Sequence, residues 1–145
     1  MSLVENRKAK FNYEILETIE VGLDLTGAEV KSLRKGQASL EGARVIIDGD
    51  EAHLVGAYIA PYQPNNQPSY DPERTRRLLI KKEEIKELIG KEKTKRLTII
   101  PLSVYNKKRY LKLSIALVRG KRKYDKRENI KKRDTERDLG RSLKG

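Results

Sequence analysis

Apolar residues alternate with polar ones over two stretches of this chain. Ile15, Ile19, Val21, Leu23 and Leu25 share one parity, with Glu17 as the break in the series, and Leu111, Leu113, Ile115 and Leu117 alternate without interruption. A two-residue period is that of a strand with one covered face. Segments 43–47 and 52–59 flank Asp48-Gly49-Asp50, a hairpin turn sequence. Segments 97–105 and 110–118 flank Asn106-Lys107-Lys108-Arg109, which predicts a second hairpin. In its outgoing strand the apolar parity switches around Pro101, a residue with no N–H to give a ladder, so a bulge or an edge is expected there.

Two helical patterns interrupt the strands. Thr26 is placed to cap a helix over 28–35, with Glu29 at the capping-box position, Ala28, Val30 and Leu33 as its apolar face, and Gly36 as its stop. A second helix is predicted over 82–89, with Ile85, Leu88 and Ile89 on one face and Gly90 just past its end. Residues 61–72, with Asn65-Asn66 inside, form the one long loop, and no internal repeat is visible. Five to six short antiparallel strands with two or three small helices predict a mainly β fold, an OB-like, partly open β-barrel.

Charge divides this body from the C-terminal stretch. The 145 residues carry a formal +12, and residues 119–145 hold twelve Lys and Arg against five Asp and Glu, which leaves that stretch at +7 and residues 1–118 at +5. The same stretch has only Ile130, Leu139 and Leu143 as aliphatic anchors, too few to offset the entropy of ordering an independent core. The expected organisation is therefore a folded domain over 1–118 and a basic C-terminal tail over 119–145, disordered in isolation and helical on an anionic surface. Glu128 with Lys132 and Leu139 with Leu143 have helical spacing, while Gly140 opposes it. The tail spans at most ~90 Å extended, or ~40 Å as one helix.

An excess of positive charge on a small chain favours polyanions, and phosphate backbones above all. No apolar run approaches the ~20 residues a membrane helix needs, and there is no Cys, which removes disulfides, thiolate metal sites and Cys nucleophiles. The first residues, Met1-Ser2-Leu3-Val4-Glu5-Asn6, lack the apolar core of a secretory signal. A monomeric, cytoplasmic protein without cofactor or metal is expected.

Enzyme signatures are weak. His53 is the single histidine, Asp48, Asp50 and Glu51 read as a solvated hairpin turn, and neither Gly90-Lys91 nor Gly120-Lys121 has the glycine-rich lead of a phosphate loop. The basic motifs say more. Asn6-Arg7-Lys8-Ala9-Lys10 precedes the first alternating strand, either as a solvated arm or as a grip on phosphate and ribose. Lys31, Arg34 and Lys35 share the outer face of the first helix at spacings where like charges repel, a repulsion that a phosphate would turn into attraction. Arg74, Arg76 and Arg77 lead into Leu78-Leu79-Ile80, where their stems can pack while the guanidinium groups face outward. Tyr58, Tyr62 and Tyr105 suit a core or rim position as well as a stacking one.

At Gly27-Ala28-Glu29-Val30-Lys31-Ser32-Leu33-Arg34-Lys35-Gly36-Gln37-Ala38 the chain resembles the small protein B family, the SsrA-binding proteins of trans-translation. Three more segments fit in order: Asn6–Lys10, then Tyr58-Ile59-Ala60-Pro61-Tyr62 with Asp71-Pro72-Glu73-Arg74-Thr75-Arg76-Arg77-Leu78-Leu79, then Arg119-Gly120-Lys121-Arg122-Lys123-Tyr124-Asp125-Lys126-Arg127. The resemblance implies an OB-like barrel that binds the tRNA-like domain of transfer-messenger RNA (tmRNA) and delivers it to stalled ribosomes, with the tail in the empty mRNA channel near the small-subunit decoding centre. It implies RNA-binding roles for Asn6, Glu20 and Leu79. Together with the basic motifs the expected RNA surface is Asn6, Arg7, Lys8, Lys10, Glu20, Lys31, Arg34, Lys35, Arg74, Arg76, Arg77 and Leu79. The expected ribosome-binding residues of the tail are Lys121, Arg122, Lys123, Tyr124, Asp125, Lys126, Arg127, Lys131, Lys132 and Arg133. The chain departs from the family at Thr135, where an aromatic is frequent after the Lys-Arg-Asp run. A general OB-type RNA-binding or ribosomal protein without preference for tmRNA is the alternative.

Overall fold

The structure, a computed structural model, describes residues 2–63, 69–95 and 97–120. Along the chain these form β1 (Ser2–Glu5), α1 (Ala9–Asn12), β2 (Tyr13–Leu23), α2 (Gly27–Arg34), β3 (Ala38–Ser39), β4 (Arg44–Asp48), β5 (Glu51–Val55), β6 (Tyr58–Ile59), β7 (Arg76–Leu79), α3 (Lys82–Lys95), β8 (Thr98–Lys107) and β9 (Tyr110–Gly120). Seven strands make one antiparallel sheet in the order β1-β8-β4-β5-β7-β2-β9, while β3 and β6 pair separately. The fold is mainly β with few helices, and its large sheet does not make a clean barrel. β8 also pairs β9, but β4 meets β8 through the single pair Val45–Ile99, and the four-residue β7 meets each neighbour through two pairs.

The long strands are broken where the sequence alternation fails. In β2 the register against β9 slips between Ile15 and Glu17, so that Ile15 opposes Val118 while Ile19 opposes Ile115. One extra residue inverts which face the side chains take. The slip therefore sends Tyr13 and Ile15 into a small core with Ala9, Ile100, Ala116 and Val118, while Ile19 and Val21 join the main core. β8 makes the same switch between Pro101 and Ser103, placing Ile100 and Leu102 on the small core and Val104 on the main one. β9 alone needs no bulge, because both of its faces are covered: Leu113, Ile115 and Leu117 on the main core, Ala116 and Val118 on the small one. The bulge expected at Pro101 and the break expected at Glu17 are both present.

The capping box of α2 forms as expected, with Thr26 Oγ1 accepting from the Glu29 N–H at 3.2 Å and Glu29 Oε1 accepting from the Thr26 N–H at 3.0 Å. Gly36, at φ 71°, ends the helix. The buried face is not the expected Ala28, Val30 and Leu33, however. Glu29, Ser32 and Leu33 are the buried residues. α3 also departs from expectation, since it runs through Gly90 to Lys95 rather than stopping at Ile89. Gly in a helix interior costs about 1 kcal/mol relative to Ala. Lys91 Nζ, 2.7 Å from Glu17 Oε2, pins the turn beyond it to β2. A further strand, β1, precedes Asn6, and the second hairpin is tighter than expected, with Lys108 at φ 58° in its turn. Part of the long loop (64–68) and residues 121–145 of the basic tail lie outside the described residues.

Candidate nucleic-acid interface

The four residues of β7 alternate strictly: Arg76 inward, Arg77 outward, Leu78 inward, Leu79 outward. This places a cation in the interior and a leucine on the surface, 54% exposed. Arg76 has no exposed surface, which corrects the expectation that its guanidinium faces outward with Arg74 and Arg77. Its Nε donates to Glu29 Oε2 at 2.9 Å, Nη1 donates to the Ala57 carbonyl at 2.7 Å, and Nη2 donates to the Pro72 carbonyl and the Tyr70 hydroxyl, both at 2.9 Å. Arg74 donates to the same carboxylate from Nε, at 3.0 Å, and from Nη2. The Tyr70 hydroxyl donates to the Ile59 carbonyl at 2.9 Å. Burial pushes the Glu29 carboxyl up, but the Arg74 bonds, the Thr26 N–H and Arg76 outweigh it and hold the group down at about 2. The hub ties α2 to Ala57, Ile59, Tyr70, Pro72 and β7, so Arg76 works within the fold rather than on its surface.

On the outer side of α2, Lys31, Arg34 and Lys35 are exposed. Arg34 Nη2 donates to the Arg109 carbonyl at 3.1 Å and so joins the helix to the β8–β9 turn. Between helix and turn lies a cavity of about 230 Å³ floored by Gly22, Leu23, Leu25, Val30, Leu79 and Leu111, with Arg34, Arg109, Tyr110 and Lys112 at its edge. Tyr110 is 69% exposed. Gly22 stands opposite Leu79 in the β2–β7 pairing, and a Cβ there would stand 3.0 Å from the Leu79 Cβ, so a larger residue would have to push the leucine aside. The turn cations Lys107, Lys108, Arg109 and Lys112 were not expected in the site. Their clue is the Lys-Lys-Arg-Tyr tip, which reads as a simple hairpin turn until α2 is folded against it.

Glu20 lies on the outer surface two residues before Gly22, where its carboxylate accepts from the Tyr105 hydroxyl and from Lys107 Nζ, the latter at 2.9 Å. Those two bonds hold the Glu20 carboxyl below its usual range. Burial and the Glu20 bond together push the Tyr105 hydroxyl up to about 12. The structure thus gathers Glu20, Lys31, Arg34, Lys35 and Leu79 around α2 and the second hairpin.

The N-terminal motif lies elsewhere. Asn6 Nδ2 donates to the Pro101 carbonyl at 2.9 Å and its backbone N–H to the Leu102 carbonyl at 2.7 Å, which satisfies the acceptors that the β8 bulge leaves open. Arg7 and Lys10 are exposed, and Lys8 Nζ sits 2.7 Å from Glu41 Oε1. Arg7 and Lys8 face Gly36 and Ser39 across a cleft of about 580 Å³. Arg77, on the outer side of β7, lies 3.4 Å from Glu51. The ten residues expected to bind the ribosome, Lys121 to Arg133, lie outside the described residues.

Over the loop that follows β6, the ammonium groups of Lys31 and Lys35 lie 5.3 and 4.8 Å from the centroid of one ring, that of Tyr62. Two such contacts, each worth roughly 0.5–1 kcal/mol at an exposed site, exceed an i,i+4 like-charge repulsion of roughly 0.2–0.5 kcal/mol. His53, in β5, has Nε2 3.7 Å from Glu51, and no group of three or more His, Cys, Asp or Glu among the described residues could hold a metal ion. No helix among the described residues is long and apolar enough to cross a membrane.

An apolar cavity edged by Arg34, Arg109, Lys112 and the Tyr110 ring is the kind of surface an RNA-binding protein carries. The family model described as "SmpB protein" matches residues 3–145. Among curated relatives, the SsrA-binding protein of Sulfurihydrogenibium sp. is 50% identical over 140 residues, covering 97% of this chain and 92% of its own length. That of Gloeothece citriformis is 46% identical over 143 residues, covering 98% and 92%. A solved chain described as "tmRNA-SmpB: a journey to the center of the bacterial ribosome" superimposes with a TM-score of 0.70 at 43% identity, covering 87% of this chain and 92% of that one. The chain belongs to the SmpB family of RNA-binding proteins.

Proposed function

We propose that this protein binds tmRNA through the surface built on α2, β7 and the β8–β9 hairpin, and delivers it to stalled ribosomes. The relatives are named for SsrA binding, and the solved neighbour is a tmRNA–SmpB assembly of the bacterial ribosome. The observation that carries the placement is the cavity between Leu79 and Tyr110. Its floor suits the flat apolar face of an unpaired base, and Arg34, Arg109 and Lys112 suit the phosphates on either side. Asn6, Arg7, Lys8 and Lys10 extend the surface beyond the end of α2, and Arg77 beyond β7. Arg74 helps hold α2, and Glu20 orders Tyr105 and Lys107 beside the cavity.

The role is binding, without catalysis. The pairing of β8 with both β4 and β9 supports a partly open barrel of the OB type. A ribosomal partner supports a cytoplasmic location. Residues 121–145 are the second binding element, an arm for the empty mRNA channel. β9 runs to Gly120, which supports a division between body and arm close to the boundary expected after Val118.

The test is competition between the tRNA-like domain of tmRNA and ordinary tRNA at fixed salt, with the full chain and with residues 121–145 deleted. Tighter binding of the tRNA-like domain by both proteins is expected, with rescue of stalled ribosomes lost in the shorter one. Equal affinity for the two RNAs would mark a general RNA-binding protein.

A further inference from the structure

We infer that Lys31, Lys35 and Tyr62 form a binding site for RNA backbone phosphate, with Tyr62 as the positioning residue that holds the two ammonium groups together. The inference rests on the function proposed for this surface and adds a residue and a ligand group to it. The lysines are one helical turn apart on the outer face of α2, and among the described residues neither has a carboxylate partner. Both instead lie over the same ring. A ring face attracts cations through its quadrupole yet carries no net charge, so it gathers two ammonium groups without neutralising them. A carboxylate in its place would have spent their charge.

The segment that carries the ring is tied to α2 at Ala60, through both of that residue's backbone groups. Ser32, which has no exposed surface, donates from Oγ to the Ala60 carbonyl at 2.7 Å. The Ala60 N–H in turn donates to the Gln37 carbonyl at 3.0 Å, just past the end of α2. Tyr62 follows two residues later, half-buried. The two ammonium groups therefore share one ring beside α2, within reach of one phosphate or of two that follow one another on a strand. Arg34 lies between these lysines in sequence and lines the cavity on the other flank of α2. A strand whose base enters the cavity would thus lay its backbone across the helix towards Tyr62.

The experiment measures the affinity of the full-length protein for the tRNA-like domain at several salt concentrations. Tyr62→Phe keeps the ring and is expected to bind within about twofold of the parent. Tyr62→Leu is expected to bind about five- to tenfold more weakly with a shallower salt slope and an unchanged melting temperature. In a Lys31→Ala/Lys35→Ala background the same Tyr62→Leu change is expected to do nothing further. Parent-like binding by Tyr62→Leu, or an undiminished effect of it without the lysines, would overturn the site while leaving tmRNA binding in place. Failure of the parent to bind the tRNA-like domain would instead overturn the proposed function. The site is then decided by NMR with a short oligoribonucleotide, in which the Tyr62 ring signals should move in the parent and stay still in the double-lysine variant. Unmoved ring signals in the parent would sink it.

Discussion

Two regions of the molecule invert the ordinary placement of side chains, in opposite senses. Around Glu29 two guanidinium groups converge on a carboxylate inside the protein, and around Leu79 and Tyr110 apolar side chains stand in solvent. β7 supplies both regions from four consecutive residues, since Arg76 and Leu79 fall on opposite faces of one short strand. Every nitrogen of the buried cation has a partner, and so it belongs to the architecture. The exposed leucine is absent from the core and lines the cavity beside α2, the surface proposed for binding. Burial and partners, rather than residue type, separate a cation that builds the surface from one that uses it.

Removing one member of the hub should have the largest effect. Glu29→Ala or Arg76→Ala leaves a buried charge without its partner and is expected to lower stability by about 3–5 kcal/mol, read from urea unfolding. Arg77→Ala, on the neighbouring outward position, should change it by less than about 0.5 kcal/mol. Similar losses at the two arginines would erase the distinction drawn along β7.

Acid sharpens the same contrast. Glu29 ionises at about 2 in the folded protein against an ordinary 4.5, so the unfolded chain takes up a proton that the folded one refuses. Its contribution, on the order of 3 kcal/mol, is complete above about pH 4.5 and is lost as the pH falls through about 2. The stability gap between the parent and Glu29→Gln should therefore narrow steadily over that window. A gap independent of pH would show that the carboxylate's charge contributes nothing.

At the second region the effect moves from stability to affinity. Leu79→Ser and Tyr110→Ala should each weaken binding of the tRNA-like domain by about 1–3 kcal/mol if a base stacks there, measured by filter binding. Melting temperatures should stay within a few degrees of the parent. Weakened binding accompanied by a large fall in melting temperature would place both residues in the core instead.

Much of this was legible in the sequence wherever a local rule decides the outcome. Thr26 with Glu29 marked the start of α2, Gly36 its end, and the parity switch at Pro101 the bulge in β8. The hub was not legible, because Arg-Arg-Leu-Leu shows no polar–apolar alternation and because Arg76 finds Glu29 from 47 residues away. Glu29 looked like a complete local cap, and nothing in its neighbours signals two further arginine partners. The site itself was half legible: Lys31, Arg34, Lys35 and Leu79 were singled out, whereas Tyr110 and the turn cations acquire meaning only once Arg34 reaches Arg109. Helix α3 outran its glycine for a similar reason, since Glu17, which anchors Lys91, lies in a distant strand.

Strand β9 begins at Tyr110, on the edge of the cavity beside α2, and ends at Gly120, next in sequence to the basic stretch proposed as an arm. Its aliphatic residues are covered on both sides and it is laddered to β2 and β8 along its length, so it behaves as a strut of roughly 30 Å from the edge of that cavity to Gly120. The distance from the cavity to the root of the arm is thereby set by a residue count. Adding or removing one residue in β9 would change that span by about 3.3 Å and turn the arm's root to the opposite face.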